Sequence, residues 1–173
     1  IQWSPRGPHR LSLAYGLHSQ LQQPQLYFAR TGEADNSDLG FSKAHHWTLG
    51  WHTRFGQVLH FSAEAYYQRL FDVPVEATAP SAFSALNLLE DFTEKRLVNA
   101  GRGRNYGLEL SLRQYVAKDA WFMANGTVYS SRYTASDGRE RSTRFDGRFI
   151  ANFSGGKEWR KDKREGRLNR VWG

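Results

Sequence analysis

Three groups of residues in this chain have the types that chemistry requires. His45-His46 is a pair of imidazoles, the side chains that most often hold a metal or a heme iron. Neighbours on a strand point to opposite faces, so a regular strand cannot aim both rings at one ion. At most one of them, expected to be His46, lies on the polar side. Glu64, Glu109, Arg54 and Arg113 form a second group. Two carboxylates can share acid–base work in a closed, dry site; on an open strand face such charges pair across strands or stay in water. The third group is Gly101-Arg102-Gly103-Arg104-Asn105-Tyr106-Gly107. A phosphate cradle places its glycines between a strand and a helix N-terminus. Here the glycines lead into an alternating strand pattern, so nucleotide binding is discounted and the two arginines are left as a weak attraction for anions.

Other chemistries are excluded more simply. There are 24 Lys and Arg against 17 Asp and Glu, a net charge of +7. Such a balance suits nucleic acid or an anionic surface. Nucleic-acid binding needs aromatics and cations on one face, whereas Arg10, Arg54 and Arg113 oppose the aromatic-rich face of their strands. The chain has no cysteine, so no disulfide or thiolate metal site exists. No Ser-His-Asp or metal-hydrolase spacing is present. The chain is read as a non-enzyme, with no cofactor, no metal and no nucleic-acid partner.

These residues sit in long alternating strands. Tyr106, Leu108, Leu110 and Leu112 interleave with Gly107, Glu109, Ser111 and Arg113, the period of two that marks a strand with one apolar and one polar face. The same pattern predicts strands over 9–19, 44–55, 58–70, 105–116, 121–131 and 146–159, with a start of strand at 168–172. Trp3 closes an earlier strand. The apolar faces carry Leu11, Leu13, Tyr15 and Leu17; then Trp47, Leu49, Trp51 and Phe55; then Leu59, Phe61, Ala63, Ala65 and Tyr67. In 121–131 the phase stays open, because Trp121 and Met123 compete with Phe122, Ala124 and Val128.

Connections alternate short and long. Gly56-Gln57 predicts a two-residue type II′ hairpin, and 117–120 a brief turn. Stretches 20–43, 71–104 and 132–145 are long and polar; Phe83, Leu86, Leu89 and Phe92 predict a short helix within 81–92. The basic stretch 160–166 reads as another turn. Aromatics cluster near the short turns (Trp3, Phe55, Tyr115, Trp121, Trp159) and toward the far ends (Tyr15, Trp47, Tyr67, Tyr106, Tyr129, Phe149). Membrane barrels combine strands of about nine to eleven residues, short turns on one side, long loops on the other and two aromatic girdles. A soluble antiparallel sandwich or lipocalin-like ligand-binding module is the alternative, with the apolar face turned inward. The fold class is all-β either way, an antiparallel meander.

Leu97 to Leu110 resembles a barrel-strand segment of bacterial TonB-dependent receptors, particularly the Bacteroidetes type. Similar segments are 12–20, 43–50, 64–70 and 155–159, so the resemblance covers nearly the whole chain. It implies an outer-membrane barrel of about twenty-two strands closed by an N-terminal plug, which imports a scarce nutrient, often an iron chelate, with energy passed from TonB. A structural barrel without transport is a further alternative. Residues 1–173 are expected to be part of such a barrel from its C-terminal half: about six full strands with partial strands at both ends, too few to close, and no plug domain. Ile1-Gln2-Trp3-Ser4-Pro5 lacks the features of a signal peptide, so the chain is expected to be an internal piece. The implied partners are outer-membrane lipid, the rest of the barrel and its plug, TonB through a missing N-terminal part, and a small-molecule nutrient.

On this reading Leu11, Leu13, Leu49, Trp51, Phe61, Leu108, Leu110 and Leu112 face lipid. Arg54, Glu64, Glu109, Ser111 and Arg113 face the lumen. Tyr27, Phe28, Tyr133 and Arg139 are loop residues expected to touch substrate.

Overall fold

The computed structural model describes residues 1–5, 7–28, 36–88, 93–117 and 119–159. They form one antiparallel sheet: β1 (Gln2–Trp3), β2 (Arg10–Gln20), β3 (Ser42–Phe55), β4 (Leu59–Glu76), β5 (Leu97–Ala117), β6 (Ala120–Thr134), β7 (Glu140–Ser142) and β8 (Phe149–Lys157). Each strand from β1 to β6 pairs with the next. Strands β7 and β8 both pair with β6, β7 against Arg132–Thr134 and β8 against Ala120–Val128. No pairing among the described residues joins the two edges, so the sheet is open. No described helix is long and apolar enough to cross a membrane, which leaves crossing by strands untouched.

Pairing lengthens the predicted strands. β4 runs on to Glu76 and β5 begins at Leu97, so much of the expected 71–104 loop is paired strand. The register shifts at Leu70/Val73, and Asp72 takes φ 55° there, a bulge that bends the pair without ending it. The arginine-glycine segment is therefore inside β5, not ahead of it. Gly101 explains the tolerance: a Cβ at this position would stand 2.9 Å from the Val73 carbonyl oxygen and also meet the Val75 side chain. The first short hairpin has three loop residues rather than two, since Phe55 pairs with Leu59 across Gly56, Gln57 and Val58. Gly56 supplies the φ of 64° that this turn requires. The expected 81–92 helix is a single 3₁₀ turn, Ala85–Asn87, with Ser84 accepting from the Leu86 N–H; 89–92 lie outside the described residues, as do 160–173. The long 20–43 connection holds a one-turn helix that the pattern did not signal, α1 (Pro24–Tyr27), begun by its proline.

Register settles the open phase. Val128 lies opposite Leu108, Ala124 opposite Leu112 and Phe122 opposite Gln114, so Phe122, Ala124 and Val128 join the apolar face. Trp121 and Met123 fall on the polar one. Tyr115 and Tyr129 also lie on the polar face, Tyr129 opposite Gly107 and Tyr115 edge-on to His60 at 4.8 Å. These three aromatics therefore leave the expected girdles.

Among the described residues, the buried apolar ones are confined to the long-loop end. Leu26, Leu39 and Leu97 make one small cluster, with Tyr27, Phe83, Ala85 and Leu88 against it. Val75, Tyr133 and Ala135 make a second, covered by Leu86. Asn36 ties the first together: its amide donates to the Lys95 carbonyl at 3.0 Å and its side-chain oxygen accepts from the Leu97 N–H at 2.8 Å.

Candidate functional site

The polar face presents the candidate site as three zones along the strands. Near the short turns, Arg10 pairs with His52, Arg54 with His60 and His60 with Arg113. With Ser62 and Ser111 these side chains border a cavity of about 690 Å³. Midway, Glu64 stands directly opposite Glu109. Of the two expected outcomes, pairing across strands or staying in water, the register does not bear out the first for these two carboxylates. Register sets like beside like, and Arg54, Glu64, Glu109 and Arg113 belong to none of the ion pairs among the described residues. The two carboxylates are exposed, unlike the dry dyads that divide acid and base roles between them.

Toward the long loops uncharged side chains form a ladder on this face. Asn105 donates to Gln68 at 2.8 Å, Ser131 donates to the Asn105 oxygen at 2.8 Å, and Thr143 donates to Ser131 at 2.8 Å. This ladder crosses β4, β5 and β6 into the β7–β8 connection. Beside it a cavity of about 400 Å³ is lined by His46, Glu64, Tyr66 and Tyr129. Gly107 makes room for those phenols: a Cβ there would lie 2.8 Å from the Tyr66 hydroxyl and 2.7 Å from the Val128 carbonyl oxygen. Sequence reading did not name the ladder, because partners on three strands emerge only once register is known.

His45 and His46 lie on opposite faces. His45 stacks with Trp47 at 5.5 Å and Phe71 at 5.2 Å on the apolar side, where Nδ1 sits 2.9 Å from the Tyr15 hydroxyl. His46 meets His18 and Tyr66 on the other side.

The four residues expected to touch substrate are not brought together. Tyr133 is not a loop residue: it lies in β6, 6% exposed, with its hydroxyl donating to the Ala82 carbonyl at 3.2 Å. Tyr27 packs on the first loop cluster and donates to Leu39. Phe28 and Arg139 are exposed. Arg139 sits in the β6–β7 turn, where its N–H donates to Asp137 at 3.1 Å. The Arg141 guanidinium and this N–H hold the Asp137 carboxyl down at about 2. At the tip of β4, the Lys95 ammonium at 2.7 Å and the Ser81 hydroxyl hold the Glu76 carboxyl below its usual value.

The apolar face is continuous across the sheet. One row runs Leu13, Leu49, Ala65, Leu108, Val128, Phe149; the next runs Leu11, Trp51, Ala63, Leu110, Gly126, Ala151. Phe61 and Leu112 share the row below. Leu13 is 52% exposed, Leu49 56% and Phe153 75%, although each lies well inside the sheet's length. Toward the long loops, Tyr15, Trp47, Tyr67 and Tyr106 stand in one cross-strand row, with ring centroids 5.4 and 5.8 Å apart at the first two steps. From Leu112 to Tyr106 the apolar stretch of β5 covers about 20 Å along the strand, about 16 Å of depth at a tilt of about 40°, with Gln114 and Arg104 next beyond it on the same face.

Comparison with protein families gives a match over residues 2–171 to the TonB dependent receptor-like, beta-barrel family. A search of curated proteins found no match. The match spans nearly the whole chain, and the chain belongs to that family, whose members are outer-membrane receptors for transport rather than a class of enzyme.

Proposed function

We propose that this sheet is a section of a larger outer-membrane barrel, residues 1–173 contributing wall and loops but no plug. The parent protein takes up a scarce nutrient, such as an iron chelate, with TonB acting through a part of the protein outside this chain. Leu11, Leu13, Leu49, Trp51, Phe61, Leu108, Leu110 and Leu112 face lipid in this reading. Arg54, Glu64, Glu109, Ser111 and Arg113 face the lumen and its plug. The observation that carries it is the unbroken apolar face, bordered by an aromatic row at the long-loop end. An aromatic ring is most stable where lipid meets water, and such girdles frame membrane barrels.

Ligand capture falls to the long-loop end and the neutral Gln68–Asn105–Ser131 ladder. Phe28 and Arg139 keep a place there because they are exposed; Tyr133 serves the loop core instead. Uptake of a labelled iron chelate by cells carrying the whole receptor, with and without TonB, is the test. TonB-dependent accumulation abolished by deleting the receptor supports the reading. Expression of this chain without detergent as a soluble, cooperatively melting monomer would favour a lipocalin-like or sandwich module instead.

A further inference from the structure

We propose that His18 and His46 form a two-imidazole site for a borderline divalent transition-metal ion such as Cu2+ or Zn2+, on the polar face at the end of the neutral ladder. This deepens the reading of that ladder as the place of ligand capture and rests on it. Sequence offers His46 only its neighbour His45, which stacks on the opposite face. The second imidazole comes from the next strand instead. Register puts Gly16 of β2 directly opposite His46 of β3, with His18 one step further along the same face. Gly16 is what lets His18 approach: a Cβ there would stand 2.6 Å from the His18 Nε2. The ring folds back over the bare glycine, into the place that a side chain facing His46 would fill. Cross-strand neighbours have Cβ positions about 4.5–5.5 Å apart, so the two imidazoles stand side by side, with ring centroids 6.0 Å apart and planes at 63°.

That spacing is within reach of one ion. A metal about 2.0–2.1 Å from each nitrogen lies about 3.2 Å from each ring centre, so two rings can share it up to a centroid separation of about 6.4 Å. Among the described residues neither ring hydrogen-bonds to the protein; His18 meets only His46, and His46 also meets the edge of Tyr66 at 6.5 Å. Their nitrogens are therefore open to a metal. Imidazole nitrogen suits copper, zinc and nickel, whereas magnesium and calcium take oxygen ligands.

The surroundings favour a cation. His46 shares the cavity of about 400 Å³ with Glu64, and no Lys or Arg among the described residues lines it. Gln68 stands directly opposite His46 on the other side, a neutral oxygen donor in the same row. The remaining polar-face histidines differ. His52 lies opposite Arg10, and His60 lies between Arg54 and Arg113, where guanidiniums repel a dication. Two imidazoles fill only part of a metal's coordination shell and leave positions for water or for donors that arrive with the metal. The site thus suits a metal still held by a small carrier.

The test uses the complete receptor in mild detergent, stripped of metal with a chelator. Isothermal titration with Cu2+, Zn2+ and Mg2+ reads affinity, and electron paramagnetic resonance of bound Cu2+ reads its nitrogen ligands. The wild-type protein should bind Cu2+ and Zn2+ far more tightly than Mg2+. H18A and H46A should each weaken Cu2+ binding at least about tenfold and remove one nitrogen from the spectrum. G16A keeps both imidazoles but displaces the His18 ring, and should weaken binding by a smaller factor. H45A, on the opposite face, should match wild type. Should H46A fail to assemble, H18A and G16A must still weaken binding. Wild-type affinity in H18A, an unchanged Cu2+ spectrum in H18A, or a loss in H45A as large as in H18A would each overturn the proposal. TonB-dependent uptake of the iron chelate separates the two readings. Metal binding that ignores His18 while uptake persists removes only this inference; metal binding that needs His18 in a receptor without TonB-dependent uptake keeps the site and removes the transport reading.

Discussion

The middle of the sheet and its long-loop end treat apolar side chains in opposite ways. At the loop end Val73 and Val75 are fully buried, Leu97 nearly so, under segments of the loops themselves. In the middle, Leu49 and Val128 are each 56% exposed on a face that no described segment covers. The same chain therefore builds a small water-excluding core where it meets water and none where its strands are most regular. Burial of apolar surface is the main drive to fold in water. A regular apolar face left bare suits a medium in which bareness costs nothing, and in the proposed barrel that medium is the hydrocarbon of the bilayer.

The largest break in this comparison comes from a charge on the bare face. Leu110→Arg should destabilise insertion by about 2–4 kcal/mol if the position lies at mid-depth, measured by denaturant titration of the whole barrel in lipid vesicles. Ser111→Arg, one residue away on the polar face, should be much milder; equal losses would erase the distinction between faces. Next comes the loop core. Val75→Ala should cost about 2 kcal/mol of local stability, seen as faster hydrogen exchange at 73–77 and 133–135, with insertion unchanged. Gly101→Ala acts on the same region from the other side, crowding Val73 and Val75, and should cost about 1 kcal/mol by the same measurement.

The smallest effect is a pH dependence confined to the loops. Asp137 accepts two bonds from Arg141, and its carboxyl titrates at about 2 rather than 3.8. A carboxyl lowered by folding adds stability that is present above its ordinary value and lost as pH falls through the folded one. The β6–β7 turn should therefore loosen only between about pH 4 and 2, by NMR of Asp137, while the bare face shows no change over that range. Asp137→Asn should remove the dependence.

Much of this contrast was legible in the sequence, for identifiable reasons. Alternation in 105–116 and 44–55 gave strands and faces directly, since a period of two needs no knowledge of neighbours. Three things needed neighbours. The phase of β6 waited on Leu108 meeting Val128, because Trp121 and Met123 offered a rival apolar set. The true length of β4 and β5 was hidden by Pro74 and the glycines at 101 and 103, residues that usually break strands but here accommodate a bulge and a close approach. Tyr133 read as a loop residue because nothing local shows that β7 pairs alongside it. The candidate site divides likewise. Polar-face membership of Glu64 and Glu109 was readable strand by strand, whereas their direct opposition and the Gln68–Asn105–Ser131–Thr143 ladder are properties of register.

In the proposed barrel the bare face meets hydrocarbon and its reverse meets water. Single nitroxide labels at positions 106 to 113 of the complete receptor in lipid vesicles test it most directly. Collision with oxygen, which partitions into lipid, is compared with collision with a water-soluble nickel complex at each site. Positions 106, 108, 110 and 112 should favour oxygen, and 107, 109, 111 and 113 the nickel complex. Alternation of the reverse phase, or no alternation at all, would contradict the claim.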